Sequence, residues 1–472
     1  MKQEIVLTPE QDKVVNLMYE FLDSDEEIFT LKGIGGAGKT TILKHVLQDK
    51  NNIVAATVSH VAKSVLEEVI GDFAICMTIA KLLNMKQYID EDGAIRFMPK
   101  LFFNEDQKLP IENADIIVID ECSMIDETIH NFIMRYKKSK AKIIYLGDPF
   151  QLPPVVENGD SDQDSISFKF TKAELLKSVR YGGLISDIGQ AIRDEITIIN
   201  SGKAGSKYLF NELATKQGFR HRTSRVDGNG HGVIYLNNIE DVIRITKHHH
   251  SKSNDINELR SIAYRRKTID IINKEMRLHL YQEQLGNIPY EEFPQFIHNE
   301  VIISSSSYKN GLIHNNECFK VDSYTETTGP YGIPCLSMKL KPNPITDSST
   351  QRILVLDEKK GLKQYNEVLL GLKKAAELDK RQWANYHRFK DEFCNFEYAI
   401  SLNSHRSQGS TYKNVIVFED DILSVTKNRV KNKLQSLYVS CTRAKKRIYI
   451  YNKKYTVSQH LLPEELKNEL GL

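Results

Sequence analysis

The sequence predicts an α/β protein built from two parallel-sheet regions, each interrupted by an insertion. Three observations lead there. Short, β-branched apolar runs alternate with helical patterns through the first half. A complete glycine-rich loop follows the first of those runs. After a β-rich stretch and a charged helical stretch, α/β character returns near the C-terminal end.

The strands come first in order. EIFTLKG (27–33), NIVAATV (52–58), ADIIVIDE (114–121) and KIIYLGD (142–148) each have a short apolar core and end in a turn or polar cluster. Nearly unbroken apolar runs suit strands buried on both faces, and so a parallel sheet covered by helices. Between the second and third runs, QYIDEDGAIRF sets Asp92-Gly93 between alternating segments, a hairpin signal. ENGDSDQDS (157–165) reads as a surface loop. The triple histidine at 248–250 cannot converge on one metal from a regular element and has no spaced partner ligand, so a solvated loop is expected there. RSIAYRRKTIDIINKEM (260–276) reads as a strand passing into a helix. Residues 295–356 suggest a small barrel, and 357–392 a Lys-rich helical stretch holding the only tryptophan, Trp383. FEYAISLNSHRSQGST (396–411) and NVIVFED (414–420) restore the α/β pattern.

Composition narrows the function. A chain of 472 residues has room for about three domains. With 40% hydrophobic residues and a formal charge of only +2, it is not an intrinsically disordered chain. No apolar run is long enough for a transmembrane helix. Near-neutrality means that any nucleic-acid surface must be local, and ten Lys or Arg without one acid between Lys427 and Lys454 mark the place to look. Tyr438, Tyr449 and Tyr451 within that stretch are expected to pack in a core along a strand. The six cysteines are scattered without a CxxC pair, and MKQEIVLTPEQ lacks the apolar core of a signal peptide. A reducing, cytoplasmic setting is expected, the host cytoplasm if the chain is phage-encoded.

The chemistry sits in Gly33-Ile34-Gly35-Gly36-Ala37-Gly38-Lys39-Thr40, a full GxxxxGK[ST] match between an apolar strand and the amphipathic TTILKHVL. Glycines let successive backbone N–H groups point into one concavity, and the helix N-terminus adds partial positive charge. Lys39 would reach the terminal phosphates and the Thr40 hydroxyl would ligate Mg²⁺. Asp120-Glu121 ends a later strand, where one carboxylate can hold the Mg²⁺ shell and the other polarise water. Hydrolysis of a nucleoside triphosphate is the leading chemistry. Its developing charge needs fixed donors. Arg180 and Arg443, both outside the first sheet region, would reach it only if nucleotide bound between two lobes, the arrangement of a motor.

The ordered motifs resemble superfamily 1 helicases, within them the 5′-to-3′ Dda/RecD-like branch, superfamily 1B. LTPEQ (7–11) looks like the family's adenine-contacting segment, with Gln11 in that position. GGAGKTT is similar to the first ATPase motif and extends the nucleotide set to Thr41. ATVSHVAKSVL (56–66) resembles a motif that carries the DNA strand, keeping His60 and Lys63 without the usual proline. MTIAKLL (77–83) resembles the next, with Thr78 kept and Ala80 in place of histidine. DECSM (120–124) and GDPFQLPPV (147–155) continue the match, Gln151 standing for the γ-phosphate sensor. KSVRYGG supplies Arg180 as a first arginine finger. SHRSQGSTYKNVIV (404–417) and LYVSCTRAKKRIYI (437–450) match the fifth and sixth motifs, with Arg443 as the second finger. HNNECFKV (314–321) resembles the start of an SH3-like insertion, with Asn316 where glycine is usual.

The resemblance implies two RecA-like lobes, a β-hairpin pin in the first, and an SH3-like barrel with a helical arm in the second. The boundaries expected are 1–83 with 112–178 for lobe 1, 84–111 for the pin, 179–294 with 395–472 for lobe 2, and 295–394 for the barrel and arm. It further implies an ATP-dependent DNA helicase using Mg²⁺ with ATP. Lys39, Asp120, Glu121, Gln151, Arg180 and Arg443 would be catalytic, and Thr40 and Asp120 the Mg²⁺ ligands. Gln11, Gly33, Gly35, Gly36, Ala37, Gly38, Lys39, Thr40 and Thr41 would bind nucleotide. His60, Lys63, Thr78, Phe97, Ser404, His405 and Gln408 would touch DNA, Phe97 by stacking on the last base pair. The implied partners are single-stranded and forked DNA, with single-strand-binding or replisome proteins, for a monomer that uses no membrane. A second reading is a single-stranded-DNA translocase or remodelling ATPase without processive unwinding. It shares every ATPase motif and differs only in pin and arm. A nucleotide-dependent kinase or transporter subunit would leave SHRSQGST and TRAKKR without a role.

Overall fold

Among the described residues, two six-stranded, mostly parallel sheets, one five-stranded antiparallel sheet and two separate strand pairs make up the β-structure. The computed structural model describes residues 7–89, 95–99, 108–154, 164–179, 183–202, 221–253, 255–309, 312–342, 351–424, 430–454, 456–458 and 467. The first half holds β1 (Ile28–Gly33), β2 (Ile53–Thr57), β3 (Ala74–Thr78), β4 (Met85–Ile89), β5 (Ile95–Pro99), β6 (Ile116–Ile119), β7 (Lys142–Gly147) and β8 (Thr171–Leu175). All but β4 and β5 join one parallel sheet in the order β3-β2-β6-β7-β1-β8.

The four apolar runs become its four inner strands. Successive side chains point to opposite faces, so Ile144 and Leu146 enter one cluster while Ile143 and Tyr145 enter the other. Helices cover the first face. They are α1 (Pro9–Asp23), α2 (Lys39–Leu47) and α3 (His60–Ile70). At the start of α1 a capping box between Thr8 and Gln11, with Pro9 in the first turn, fixes where the helix begins. The outermost strand β3 leaves Ile75 66% exposed, as an edge does. β4 and β5 pair only with each other, antiparallel, with Gln87 opposite Phe97. The Asp92-Gly93 turn lies outside the described residues.

The second half holds β9 (His221–Thr223), β10 (Arg225–Val226), β11 (Gly232–Leu236), β12 (Leu259–Ala263), β13 (Val301–Ser304), β14 (Cys318–Thr328), β15 (Pro334–Pro342), β16 (Gln351–Leu356), β17 (Phe396–Tyr398), β18 (Ser401–Asn403), β19 (Tyr412–Phe418), β20 (Ala444–Tyr451) and β21 (Thr456–Ser458). The second sheet runs β10-β11-β20-β19-β12-β18, parallel except for β10. β9 and β21 form a separate parallel pair. The insertion between β12 and β18 is the antiparallel sheet β16-β15-β14-β13-β17, with helices Glu358–Leu378 and Trp383–Lys390. These helices pack through Tyr365, Leu369, Leu372 and Phe389 onto Ile333, Cys335, Leu356 and Phe393. Among the described residues no helix is long and apolar enough to cross a membrane.

Two expectations need correction. His248–His250 lie not in a loop but in the helix Ile239–Lys252. Val242, Ile245, Thr246 and His249 are buried at helical spacing, and His249 Nε2 stands 3.3 Å from Tyr449 Oη. Burial lowers the pKa of His249 to about 4. Tyr438 belongs to the helix Val430–Cys441, not to a strand with Tyr449 and Tyr451. Part of the basic C-terminal stretch lies inside the protein. Arg443 and Arg447 are buried, and Arg447 Nε donates to Gly230 O.

A buried ion pair ties the insertion to the second sheet. Arg277, on the helix Arg266–Tyr281, and Glu300, just before β13, are each 2% exposed. Arg277 Nη2 donates to Glu300 Oε2 at 2.8 Å and to the carbonyls of Pro294 and Gln295, while Ile297 N–H donates to Glu300. Removing one partner strands a buried charge. Arg277→Met is expected to cost about 3–5 kcal/mol, seen as a lower urea midpoint, and Arg277→Met with Glu300→Leu should cost less than Arg277→Met alone.

Candidate functional site

The glycine-rich loop leaves β1 at the C-terminal edge of the first sheet and opens α2. Gly36 (φ 75°) and Gly38 (φ 83°) take left-handed conformations, which cost little only for glycine. A Cβ at Gly38 would also collide with Gln11 Nε2. Gln11 is a brace here. Its amide oxygen accepts from Thr8 N–H, and its Nε2 donates to Ala37 O at 3.0 Å. Lys39 Nζ donates to Gly33 O (2.6 Å) and Ile34 O (3.3 Å), which holds the ammonium over the loop. Thr40 and Thr41 follow in the first turn of α2.

The neighbouring strands supply acid and amide groups to the same edge. β6 ends before Asp120, whose Oδ1 accepts from Glu121 N–H at 2.8 Å. Glu121 has φ 53°, a left-handed conformation uncommon for a residue with a side chain and found most often at sites under functional constraint. β7 ends before Asp148, and three residues on, Gln151 is buried with an amide oxygen that makes no hydrogen bond to the described residues. Oxygen donors from Thr40 and Asp120 are of the kind that Mg²⁺ prefers.

Arg443 lies at the end of the second-lobe helix Val430–Cys441, with its guanidinium on Val439 O, Ser410 O and the Thr442 hydroxyl. Arg180 lies outside the described residues.

A cavity of about 330 Å³ lies between the lobes. From the first sheet's side come Ser59, His60, Thr78 and Glu121; from the other, His405, Arg406 and Gln408; from the insertion, Asn315 and Asn316. Ser59 and Thr78 cap the helices that follow them, accepting from Ala62 N–H and Lys81 N–H, and so fix both helix starts at the cavity wall. The His60 ring stacks on His314 of the insertion with centroids 3.5 Å apart. Burial, then the neighbouring His314, Lys63 and Lys81, lower the His60 pKa to about 4, so the stacked ring is neutral at pH 7. Gly409 takes φ 77°, and a Cβ there would stand 3.1 Å from Ala62, so the lobes meet closely at this point.

Of the DNA-contacting residues expected from sequence, His60, Thr78, His405 and Gln408 meet at this cavity. Lys63 sits one turn along α3, paired with Glu67 at 2.5 Å. Ser404 does not fit a contact role. It is fully buried, and its hydroxyl shares a hydrogen bond with Ser440 at 3.1 Å, joining two elements of one lobe. Phe97 stands in β5 of the separate hairpin. Asp148 is the residue that sequence reading passed over, although a carboxylate directly after the run KIIYLG at a strand's C-terminal end carries the same signal as Asp120. Its partner Tyr438 had no local signal.

Comparison with known proteins finds two matching domain families and relatives that span nearly the whole chain. The AAA domain family matches residues 6–213, and the UvrD-like helicase C-terminal domain family matches residues 398–451. An uncharacterized protein of Acanthamoeba polyphaga mimivirus is 25% identical over 500 residues, covering 93% of this chain and 98% of that protein. The ATP-dependent DNA helicase dda of Enterobacteria phage T4 is 20% identical, again covering 93% of this chain and 98% of that one. A crystal structure of Pif1 helicase from Candida albicans, 16% identical, aligns over 98% of this chain and 99% of that chain with a TM-score of 0.48. Both domain families match in order, and along nearly its whole length the chain is similar to an ATP-dependent DNA helicase.

Proposed function

We propose that this protein is an ATP-dependent DNA helicase that moves 5′ to 3′ along single-stranded DNA and separates duplex as it goes. The observation that carries this is the cavity between the lobes, where His60 and Thr78 face His405 and Gln408. Glu121 lines that cavity and is the chain neighbour of Asp120 at the nucleotide side, so the two sites share a wall. Two rigid lobes that line both sites transmit a change at one to the other.

In this reading the loop amides and Lys39 hold the terminal phosphates. Thr40 and Asp120 would hold Mg²⁺, which arrives with ATP and neutralises charge on the phosphate oxygens. Glu121 orients the attacking water and accepts its proton. The unbonded Gln151 amide oxygen is available to that water, and Arg180 and Arg443 meet the charge that develops. Among the described residues Arg443 has only neutral oxygens as partners, which a phosphate would outcompete.

The lobe boundaries follow the ranges given above, with the β4–β5 hairpin as the pin that splits the duplex. The antiparallel sheet β13–β17 is the SH3-like element, and the helix Glu358–Leu378 the arm. Polarity, forked DNA as substrate, and a working monomer rest on the family resemblance.

Lys39→Ala should lower single-strand-stimulated ATP hydrolysis by at least about 10²-fold; survival of that activity would end the ATPase assignment. Wild-type protein should unwind a 5′-tailed duplex and leave a 3′-tailed one intact, with ATP consumption on both. ATP consumption without strand separation on either would favour a translocase that remodels protein–DNA complexes. Phe97→Ala should lower duplex separated per ATP by about tenfold, in line with a lost base stack, and normal yield in that variant would remove the pin role.

A further inference from the structure

One buried carboxylate joins the phosphate loop to the second lobe. Asp148 has no exposed surface. Its Oδ2 accepts from Gly35 N–H of the glycine-rich loop at 2.9 Å and from the Tyr438 hydroxyl at 2.7 Å, and its Oδ1 accepts from Phe150 N–H at 3.0 Å. Tyr438 is equally buried and belongs to the helix Val430–Cys441. The Arg193 guanidinium lies 5.7 Å from its ring centroid, with Nη1 3.5 Å from its hydroxyl, and Phe150 meets the ring edge-on. Three residues before Tyr438 on the same helix, Gln435 Nε2 donates to Gln151 O at 2.8 Å. One second-lobe helix thus grips the 148–151 segment at both ends, and Arg443 lies two residues beyond its last residue.

We propose that Tyr438 and Asp148 form a latch through which closure of the lobes sets the shape of the phosphate loop, with Tyr438 as a positioning residue for ATP hydrolysis. The proposal rests on the helicase reading above. A carboxylate with no access to water depends on its donors. Asp148 draws them from both lobes. While Tyr438 O–H is engaged, Oδ2 is shared between it and Gly35 N–H, and the loop amide is held at a set distance from β7. When the lobes part, that hydroxyl leaves. Oδ2 must then be satisfied by the Gly35 amide alone or by incoming water, and the loop shifts with it. Gly36 and Gly38, already in left-handed conformations, give the loop room to respond. The shape suited to hydrolysis is therefore reached when the helix bearing Tyr438 is docked, which is also when Arg443 is carried towards the site. Arg193 keeps the Tyr438 hydroxyl oriented and lends it positive potential, which strengthens its donation to a carboxylate.

The test uses the full chain with Tyr438→Phe, which keeps the ring, the Phe150 edge and the Arg193 face and removes one O–H. ATP hydrolysis is measured with and without single-stranded DNA. We expect kcat on DNA to fall about tenfold or more, the scale of one hydrogen bond to a charged group, with KM for ATP changed less than about twofold. Asp148→Asn, which keeps the volume, should fall similarly. The double variant should be no slower than the slower single one, because both act through one bond. Wild-type kcat in Tyr438→Phe, a KM that rises in step with the loss of kcat, or fully additive losses would each overturn the latch. Absence of single-strand stimulation in the wild-type protein is a different failure, since it removes the helicase reading itself.

Discussion

The backbone ladder that sets β7 between β6 and β1 is the arrangement on which the rest depends. It brings three chain segments to one edge of the first sheet: the phosphate loop after β1, Asp120 and Glu121 after β6, and Asp148 to Gln151 after β7. In a parallel sheet all strands end on the same side, so groups far apart in sequence converge there without any contact designed for each pair. The ladder is rigid because both faces are covered. Ile143, Ile144, Tyr145 and Leu146 are all fully buried. The left-handed backbone at Gly36 and Gly38 of one segment and at Glu121 of another needs such a base to hold it.

The junction between the lobes is built differently. Each lobe has its own apolar core, and the contacts between them are mostly polar or aromatic: Tyr438 on Asp148, Gln435 on Gln151, Gln408 on Ser123, Lys431 on Asp164, and His60 stacked on His314. Phe150 is the first-lobe side chain that reaches the second lobe's core. Contacts of this kind can be exchanged for water at modest cost, unlike a shared apolar core, so movement between lobes is the natural expectation. The insertion is held more firmly to its own lobe. Val301 and Ile303 of β13 join the second lobe's core, and the Arg277–Glu300 pair is closed off from solvent.

Charge shows the same division of labour. The formal total of +2 conceals local opposition. Part of the C-terminal basic stretch is consumed inside the protein, with Arg443 on backbone carbonyls and Lys431 on Asp164. The basic groups near the cavity between the lobes are few, and Arg406 there is itself paired with Glu397 at 2.6 Å. Imidazole, hydroxyl and amide groups make up much of the cavity's wall, with Glu121 and the paired Arg406 as its charged members.

What the sequence determined by itself was local. Strand runs buried on both faces, the left-handed glycines of the phosphate loop and the strand-to-helix passage at 260–276 are written in neighbouring residues, because apolar period and backbone freedom are properties of a few consecutive positions. The ordered motifs carried the family for the same reason. The His248–His250 helix was illegible because three polar residues in a row hide a face completed by Val242 and Ile245. The edge strand β3 was illegible because an edge lacks the apolar continuity of an inner strand. Ser404 sits in a recognisable motif, yet only packing decided that its hydroxyl would meet Ser440 rather than a nucleic acid strand. The Tyr438–Asp148 bond spans 290 positions. Nothing local to either residue encodes it, since a hydrogen bond between lobes exists only after each sheet has formed and the two have docked.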